Sequence, residues 1–145
     1  MEIKKVFIVG AGLMGSGIAQ VCAQSGINVV MIDNNQKAID KGINSIAWSV
    51  AKFIEKGKLT EDKNLILNRI AADSDFSNAA DADLAIEAVF EKLELKKDIF
   101  QKLDEVCQDK TIIASNTSAI SISELASVTN RPEKVLGIHF FLRYL

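Results

Sequence analysis

Three glycines in one short stretch, Gly10-Ala11-Gly12-Leu13-Met14-Gly15, have the spacing that lets a backbone come up against a phosphate. Each glycine has its own mechanical task in that reading: Gly10 permits a tight turn, Gly12 lets main-chain amides approach a diphosphate, and Gly15 lets helix and strand pack closely. The pattern by itself also occurs in ordinary turns, and its surroundings make the difference. KVFIVG (5 to 10) reads as a buried strand, the residues from Leu13 to about Gln24 read as a helix, and Asp33 ends the next strand about 20 residues on. A helix start offers free N–H groups and a partial positive charge, so a diphosphate can be held there without any basic side chain. A carboxylate at Asp33 can accept hydrogen bonds from both hydroxyls of an adenosine ribose and would repel a 2′-phosphate, which favours NAD over NADP. Two alternatives stand beside this reading: Asp33 as a strand-end residue that turns the chain, and a flavin or S-adenosylmethionine site on the same fold. A P-loop is excluded, because no GxxxxGK occurs.

Ser118, in SNTSAISI (115 to 122), and His139, the only histidine, in GIHFF (137 to 141), are the other candidates for chemistry. Ser118 follows the strand-like run TIIASN (111 to 116), and His139 lies in the closing residues of VLGIHFF (135 to 141), so both fall at carboxyl ends of strands, where open α/β sheets bind ligands. They can face one crevice. Taken alone, the histidine reads first as a satisfied structural residue and the serine as a turn cap.

Such a crevice requires short buried strands alternating with helices, and the whole chain has that rhythm. After the first strand and helix, with Gly26 as the stop, come NVVMID (28 to 33) and a long amphipathic helix from Gln36 to Lys56, ended by Gly57. Its stripe is Ile43, Ile46, Ala47, Val50 and Ile54. A helix capped at Thr60 leads to a strand at Ile70 to Ala72; LAIEAV (84 to 89) is the fourth strand. KLELKKDIFQKLDEVC (92 to 107) is a helix with Leu95, Ile99, Leu103 and Val106 inward, and Ser121 or Ser123 caps a short one through Val128. This predicts one α/β domain over residues 1 to 145, a Rossmann-type doubly wound, mostly parallel sheet in the order 3-2-1-4-5-6 with a long helical excursion after the second strand.

Seventeen basic and nineteen acidic residues leave a formal charge of −2, which gives no global reason to expect nucleic acid or an anionic membrane as partner. No apolar run approaches the ~20 residues that span a bilayer. Cys22 and Cys107 are far apart and outside any CxxC pair, so a cytoplasmic protein with reduced thiols and no metal site is expected.

Taken together, GAGLMGSGIAQ, the Asp33 strand end, IEAVFEKLELKK, ASNTSAISI and GIHFF resemble the NAD-binding domain of the 3-hydroxyacyl-CoA dehydrogenases, and within them the bacterial branch acting on 3-hydroxybutyryl-CoA. The resemblance runs from Lys4 to Phe141. It implies NAD as cofactor and an acyl-CoA as substrate, with reversible oxidation of the 3-hydroxyl to a 3-ketoacyl-CoA in fatty-acid and butanoate metabolism. It implies that His139 takes the hydroxyl proton and that Ser118 hydrogen-bonds the reacting oxygen. Gly10, Gly12, Leu13, Met14, Gly15 and Asp33 bind the cofactor in this reading. Glu91 and Lys96 reach it too, the backbone at Ala88 and Val89 lines its site, and Asn116 and Ser118 lie near its nicotinamide ribose. Without the resemblance, Glu91 and Lys96 read as a solvated helix start. Lys52, Lys56 and Lys58 are candidates for CoA phosphates, a role that a solvated charged face explains nearly as well.

The resemblance also implies a continuation from HFF into Asn-Pro, a glutamate partner for the histidine, and a helical domain that completes the acyl-CoA cleft and makes a dimer. The chain reads Leu142-Arg143-Tyr144-Leu145 instead, and a leucine cannot make the hydrogen bond expected of the asparagine. The expectation is a chain that binds NAD, turns over acyl-CoA weakly or not at all alone, and self-associates through the uncovered surface. A stand-alone NAD-binding module is the alternative.

Overall fold

Val6, Phe7, Ile8 and Val9 are all buried because β1 (Lys5–Val9) runs through the middle of a sheet covered on both faces. The computed structural model describes residues 2–117 and 120–140. Around β1 lie β2 (Asn28–Ile32), β3 (Ile70–Asp73), β4 (Leu84–Glu87), β5 (Ile112–Ser115) and β6 (Val135–Gly137), in the order β3-β2-β1-β4-β5-β6. Every pairing is parallel, so the expected order holds. The registers place Asp73, Ile32, Val9, Glu87, Ser115 and Gly137 in one row across the sheet. Each strand therefore stops at the same level, and the loops just beyond that row share one edge.

Helices α1 (Leu13–Gln24), α2 (Gln36–Glu55) and α3 (Lys63–Leu67) cover one face, where Ile18, Ile46, Val50 and Ile66 form the core. The other face carries α4 (Leu93–Val106) and α5 (Ile122–Ala126), packed through Phe100, Leu103 and Leu125. Positive φ values of +85° at Gly26 and +73° at Gly57 end α1 and α2 as the sequence predicts.

Local chemistry shifts several boundaries. The α3 cap is Asp62, whose Oδ1 accepts from Asn64 N at 2.7 Å, and not Thr60. Helix α5 ends at Ala126, two residues short of expectation, and Ser121 at its N-cap makes no side-chain cap bond. β4 ends at Glu87 instead of Val89, because Val89 N donates 2.8 Å to the Glu87 carboxylate rather than to the ladder. β6 ends at Gly137: the segment that follows bonds through Ile138 N to Ser115 O and through Phe140 N to the Asn116 side chain, leaving His139 beyond the strand. The inward stripe of α4 is Lys96, Ile99, Phe100 and Leu103, while Leu95 is 37% exposed.

Among the described residues no helix is long and apolar enough to cross a membrane. Cys22 and Cys107 are free and buried, and burial pushes both thiols up to about 11, which keeps them unreactive.

Candidate functional site

Two of the three glycines are required by the chain itself. Gly10 has φ +114°, and a Cβ there would lie 2.4 Å from the Ala88 carbonyl oxygen; a Cβ on Gly15 would lie 1.8 Å from the Gly10 carbonyl oxygen. Gly12 differs. Its φ of −72° suits any residue, and a Cβ on it would meet nothing within 4 Å apart from its neighbours in the chain. Nothing in the protein asks for glycine there, so the empty space above it is a cradle that a methyl group would fill.

That space faces the start of α1, which has no side-chain cap and no acidic residue in its first turn, whereas α2 is capped by Asn35 accepting from Lys37 N and Ala38 N. The α1 start thus keeps its N–H groups and partial positive charge for an outside anion. Leu13 is 80% exposed and Met14 half-buried on this turn. Asp33, one residue past β2, accepts from Ala11 N through Oδ2 and from Asn35 N through Oδ1, both at 2.9 Å. The carboxylate therefore turns the chain and is also held against the glycine turn, with lone pairs to spare for a diol. The donor set and the Gly12 cradle fit a dinucleotide.

Gly42 on α2 is a residue that sequence reasoning missed. A Cβ on it would lie 2.9 Å from the Ala11 carbonyl oxygen, so only glycine lets α2 pack against the turn. Its signal was a glycine inside a helix, a costly choice that a close approach explains.

On the other side of β1, Ala88 N bonds Val9 O, and the Ala88 carbonyl and the Val89 side chain lie beside Gly10. Beneath it, Glu87 and Lys96 are both fully buried and paired at 2.6 Å. The Glu87 carboxylate also accepts from Ser115 Oγ at 2.5 Å. Glu91 is exposed yet accepts from Thr117 Oγ1 at 2.5 Å and pairs with Lys96 at 3.2 Å. Burial pushes its carboxyl upward, but the Thr117 hydroxyl and the Lys96 ammonium outweigh that and hold it below the usual carboxylate value. Lys96 is thus the hub beneath the loop, not a solvated lysine at a helix start. Its signal was Glu87 itself, an acid inside the apolar run LAIEAV.

Asn116 follows β5, and its Oδ1 accepts from Phe140 N at 3.4 Å, which ties this loop to the segment bearing His139. His139 is exposed on the same edge. Ser118 and Leu142 lie outside the described residues. Lys52, Lys56 and Lys58 do not join this group. Lys52 lies in the last turn of α2, about 24 Å of helical rise from its start, and pairs with Glu55 at 3.4 Å; Lys56 and Lys58 lie just past the helix end, where Lys58 sits over the Phe53 ring.

The fold and the cradle define a Rossmann-type dinucleotide-binding domain. The model of the family described as 3-hydroxyacyl-CoA dehydrogenase, NAD binding domain, matches residues 5–142, and the chain belongs to that family. It is 43% identical over 138 residues to a 3-hydroxybutyryl-CoA dehydrogenase of Clostridioides difficile, covering 94% of this chain and 49% of the relative. It is 40% identical over 140 residues to a peroxisomal fatty acid beta-oxidation multifunctional protein of Arabidopsis thaliana, covering 96% of this chain and 19% of that one. The crystal structure of (S)-3-hydroxybutyryl-CoA dehydrogenase from Ralstonia eutropha superposes with a TM-score of 0.91 at 46% identity, covering 97% of this chain and 50% of that one. The chain spans about half the length of curated relatives such as the Clostridioides enzyme. Membership makes NAD the cofactor and leaves no place for the flavin or S-adenosylmethionine alternative.

Proposed function

We propose that this chain is the cofactor-binding part of an NAD-dependent dehydrogenase that oxidises the 3-hydroxyl of an acyl-CoA to the 3-ketoacyl-CoA, with 3-hydroxybutyryl-CoA as substrate. The observation that carries the reading is the open cradle at Gly12, on the same edge as the exposed His139. The names of relatives at 43% and 46% identity support the short acyl chain.

In this reading the N–H groups at the start of α1, with Gly10, Gly12, Leu13, Met14 and Gly15, hold the diphosphate, and Asp33 takes the adenosine ribose. The Ala88 and Val89 backbone, Glu91 and Asn116 line the remainder of the groove. NAD, when bound, supplies the acceptor for the hydride that leaves C3. The His139 imidazole takes the 3-hydroxyl proton, and Ser118 hydrogen-bonds the same oxygen so that its proton points at the imidazole. The CoA phosphates fall to Lys52 and Lys56, which stand apart from the cofactor edge at the far end of α2. A helical second domain completes the acyl-CoA cleft and the dimer contact; the half-length coverage of the relatives supports that part.

Two titrations test it. Fluorescence titration with NADH and NADPH should give saturable binding that prefers NADH; equal binding of both, or of neither, overturns the cofactor assignment. His139 is the only histidine, so its imidazole gives one set of proton resonances. A short 3-ketoacyl-CoA added to the NAD-saturated chain should move those resonances, and free CoA should not. No movement with the ketoacyl-CoA overturns the catalytic assignment.

A further inference from the structure

His139 sits two residues past β6, an edge strand of three residues that pairs with β5 alone. A side chain that must meet a hydroxyl proton needs its backbone held, because a displacement of about 1 Å can cost about 100-fold in rate. The regular pairing stops short of it, at Ser115 and Gly137. What holds the histidine therefore lies just beyond the sheet.

Both neighbours of His139 are anchored. Ile138 N donates to Ser115 O at 3.0 Å, which continues the ladder between β5 and β6 by one bond. In a parallel ladder the N–H two residues on, that of Phe140, would go to the carbonyl of residue 117. It goes instead to the side-chain Oδ1 of Asn116, at 3.4 Å. Asn116 is itself fixed from the other side, since its own N–H donates to Glu87 O at the end of β4, at 2.9 Å. A side-chain amide thus stands in for a backbone carbonyl where β5 has ended. Ile138 and Phe140 both pack against the core on the α1 side, two residues apart as on one face of a strand. The exposed residue between them is His139, so its imidazole is turned away from that core. The bond also fixes which end of the Asn116 amide faces Phe140. An N–H requires an acceptor, so the oxygen is committed and only the NH2 is left to offer the cofactor.

We infer that Asn116 is a positioning residue for His139, its side-chain oxygen replacing the next rung of the ladder and holding the backbone that carries the imidazole. This rests on the reading of His139 as the group that takes the hydroxyl proton, and it gives Asn116 a task besides lining the groove.

The test uses the 145-residue chain and two variants, Asn116→Ala, which removes the acceptor, and Asn116→Asp, which keeps one in the same shape. Thermal melts establish that each variant is folded. Amide exchange followed by NMR should be about tenfold faster at Phe140 in Asn116→Ala and within about twofold of the parent at Ile138, which Ser115 holds; Asn116→Asp should restore Phe140. The Cα and Cβ shifts of His139 should follow the same order. In the NAD-saturated proteins, the concentration of a short 3-ketoacyl-CoA that half-shifts the imidazole resonances should rise about tenfold in Asn116→Ala and return to within about twofold in Asn116→Asp. A parental imidazole response in Asn116→Ala overturns the inference, as does an Asn116→Asp chain that behaves like Asn116→Ala. Equal acceleration at Ile138 and Phe140 marks general loosening and overturns it too. A parent chain whose imidazole ignores the ketoacyl-CoA overturns the catalytic reading of His139, and the exchange rates still decide whether Asn116 holds the segment.

Discussion

Gly12→Ala separates what the fold needs from what the ligand needs. In the protein the added methyl meets nothing within 4 Å apart from chain neighbours, and φ of −72° is ordinary for alanine. Alanine is a poorer N-cap than glycine by up to about 1 kcal/mol. It also narrows the unfolded ensemble, which returns about 0.4–1 kcal/mol. These terms nearly cancel, so the melting temperature should stay within about 4 °C of the parent. For the ligand the same methyl occupies the approach to the α1 amides. Losing one charge-assisted hydrogen bond to the diphosphate costs about 1.5–3 kcal/mol, or a factor of about 10 to 100 in NADH affinity. The control is Gly15→Ala, whose Cβ would sit 1.8 Å from the Gly10 carbonyl oxygen with only backbone to give way. That variant should lose both stability and binding. Thermal melts and NADH fluorescence titrations on the three proteins decide the matter. A folded Gly12→Ala chain with parental NADH affinity would refute the phosphate role of the cradle, and an unfolded one would refute the claim that the space is free.

Gly42→Ala, normally a stabilising change in a helix, should instead destabilise by about 1–2 kcal/mol in urea and weaken NADH several-fold, because its Cβ lies 2.9 Å from the Ala11 carbonyl; a gain in stability would contradict the close approach. Lys96→Met should cost about 3–5 kcal/mol by leaving Glu87 buried and unpaired, and adding Glu87→Gln should recover part of that loss in the same urea midpoint assay. Asp33→Asn removes the charge facing a 2′-phosphate and should narrow the NADH-over-NADPH preference by about tenfold in paired titrations. The Lys4 and Lys5 N–H groups on Asp83, with Lys110 beside it, hold its carboxyl below the usual value. Its contribution is therefore full above the unfolded carboxylate value of about 3.9 and is lost as pH falls through the lower folded value. An acid melting series should show a shallower decline for Asp83→Asn than for the parent.

The parts of this protein that were legible in its sequence are those whose residue type is dictated within a few positions. Gly15 answers to the Gly10 carbonyl beside it in the turn, Gly10, Gly26 and Gly57 to a positive φ, and the strands to an apolar run between such signals. Helix ends were less legible where two caps competed, as with Thr60 and Asp62. The network under the site was missed because its members are dictated by partners far along the chain: Ser115 is 28 residues from Glu87, and Thr117 is 26 from Glu91.

Even so, the hub could have been derived. A strand with helices on both faces cannot hold an unpaired acid, so Glu87 in LAIEAV demands a cation close by. The next helix offers Lys92, Lys96 and Lys97. Only Lys96 shares the spacing of Ile99, Phe100 and Leu103, at three, four and seven residues, which is one inward face. Choosing Leu95 for that stripe because it is apolar, and leaving Lys96 outside because it is charged, turns the helix by one position. The same step hides the one cation that the buried acid requires. In a domain of this kind an acid within an apolar strand therefore fixes the rotation of the following helix, and with it the loop that the helix start holds against the cofactor groove.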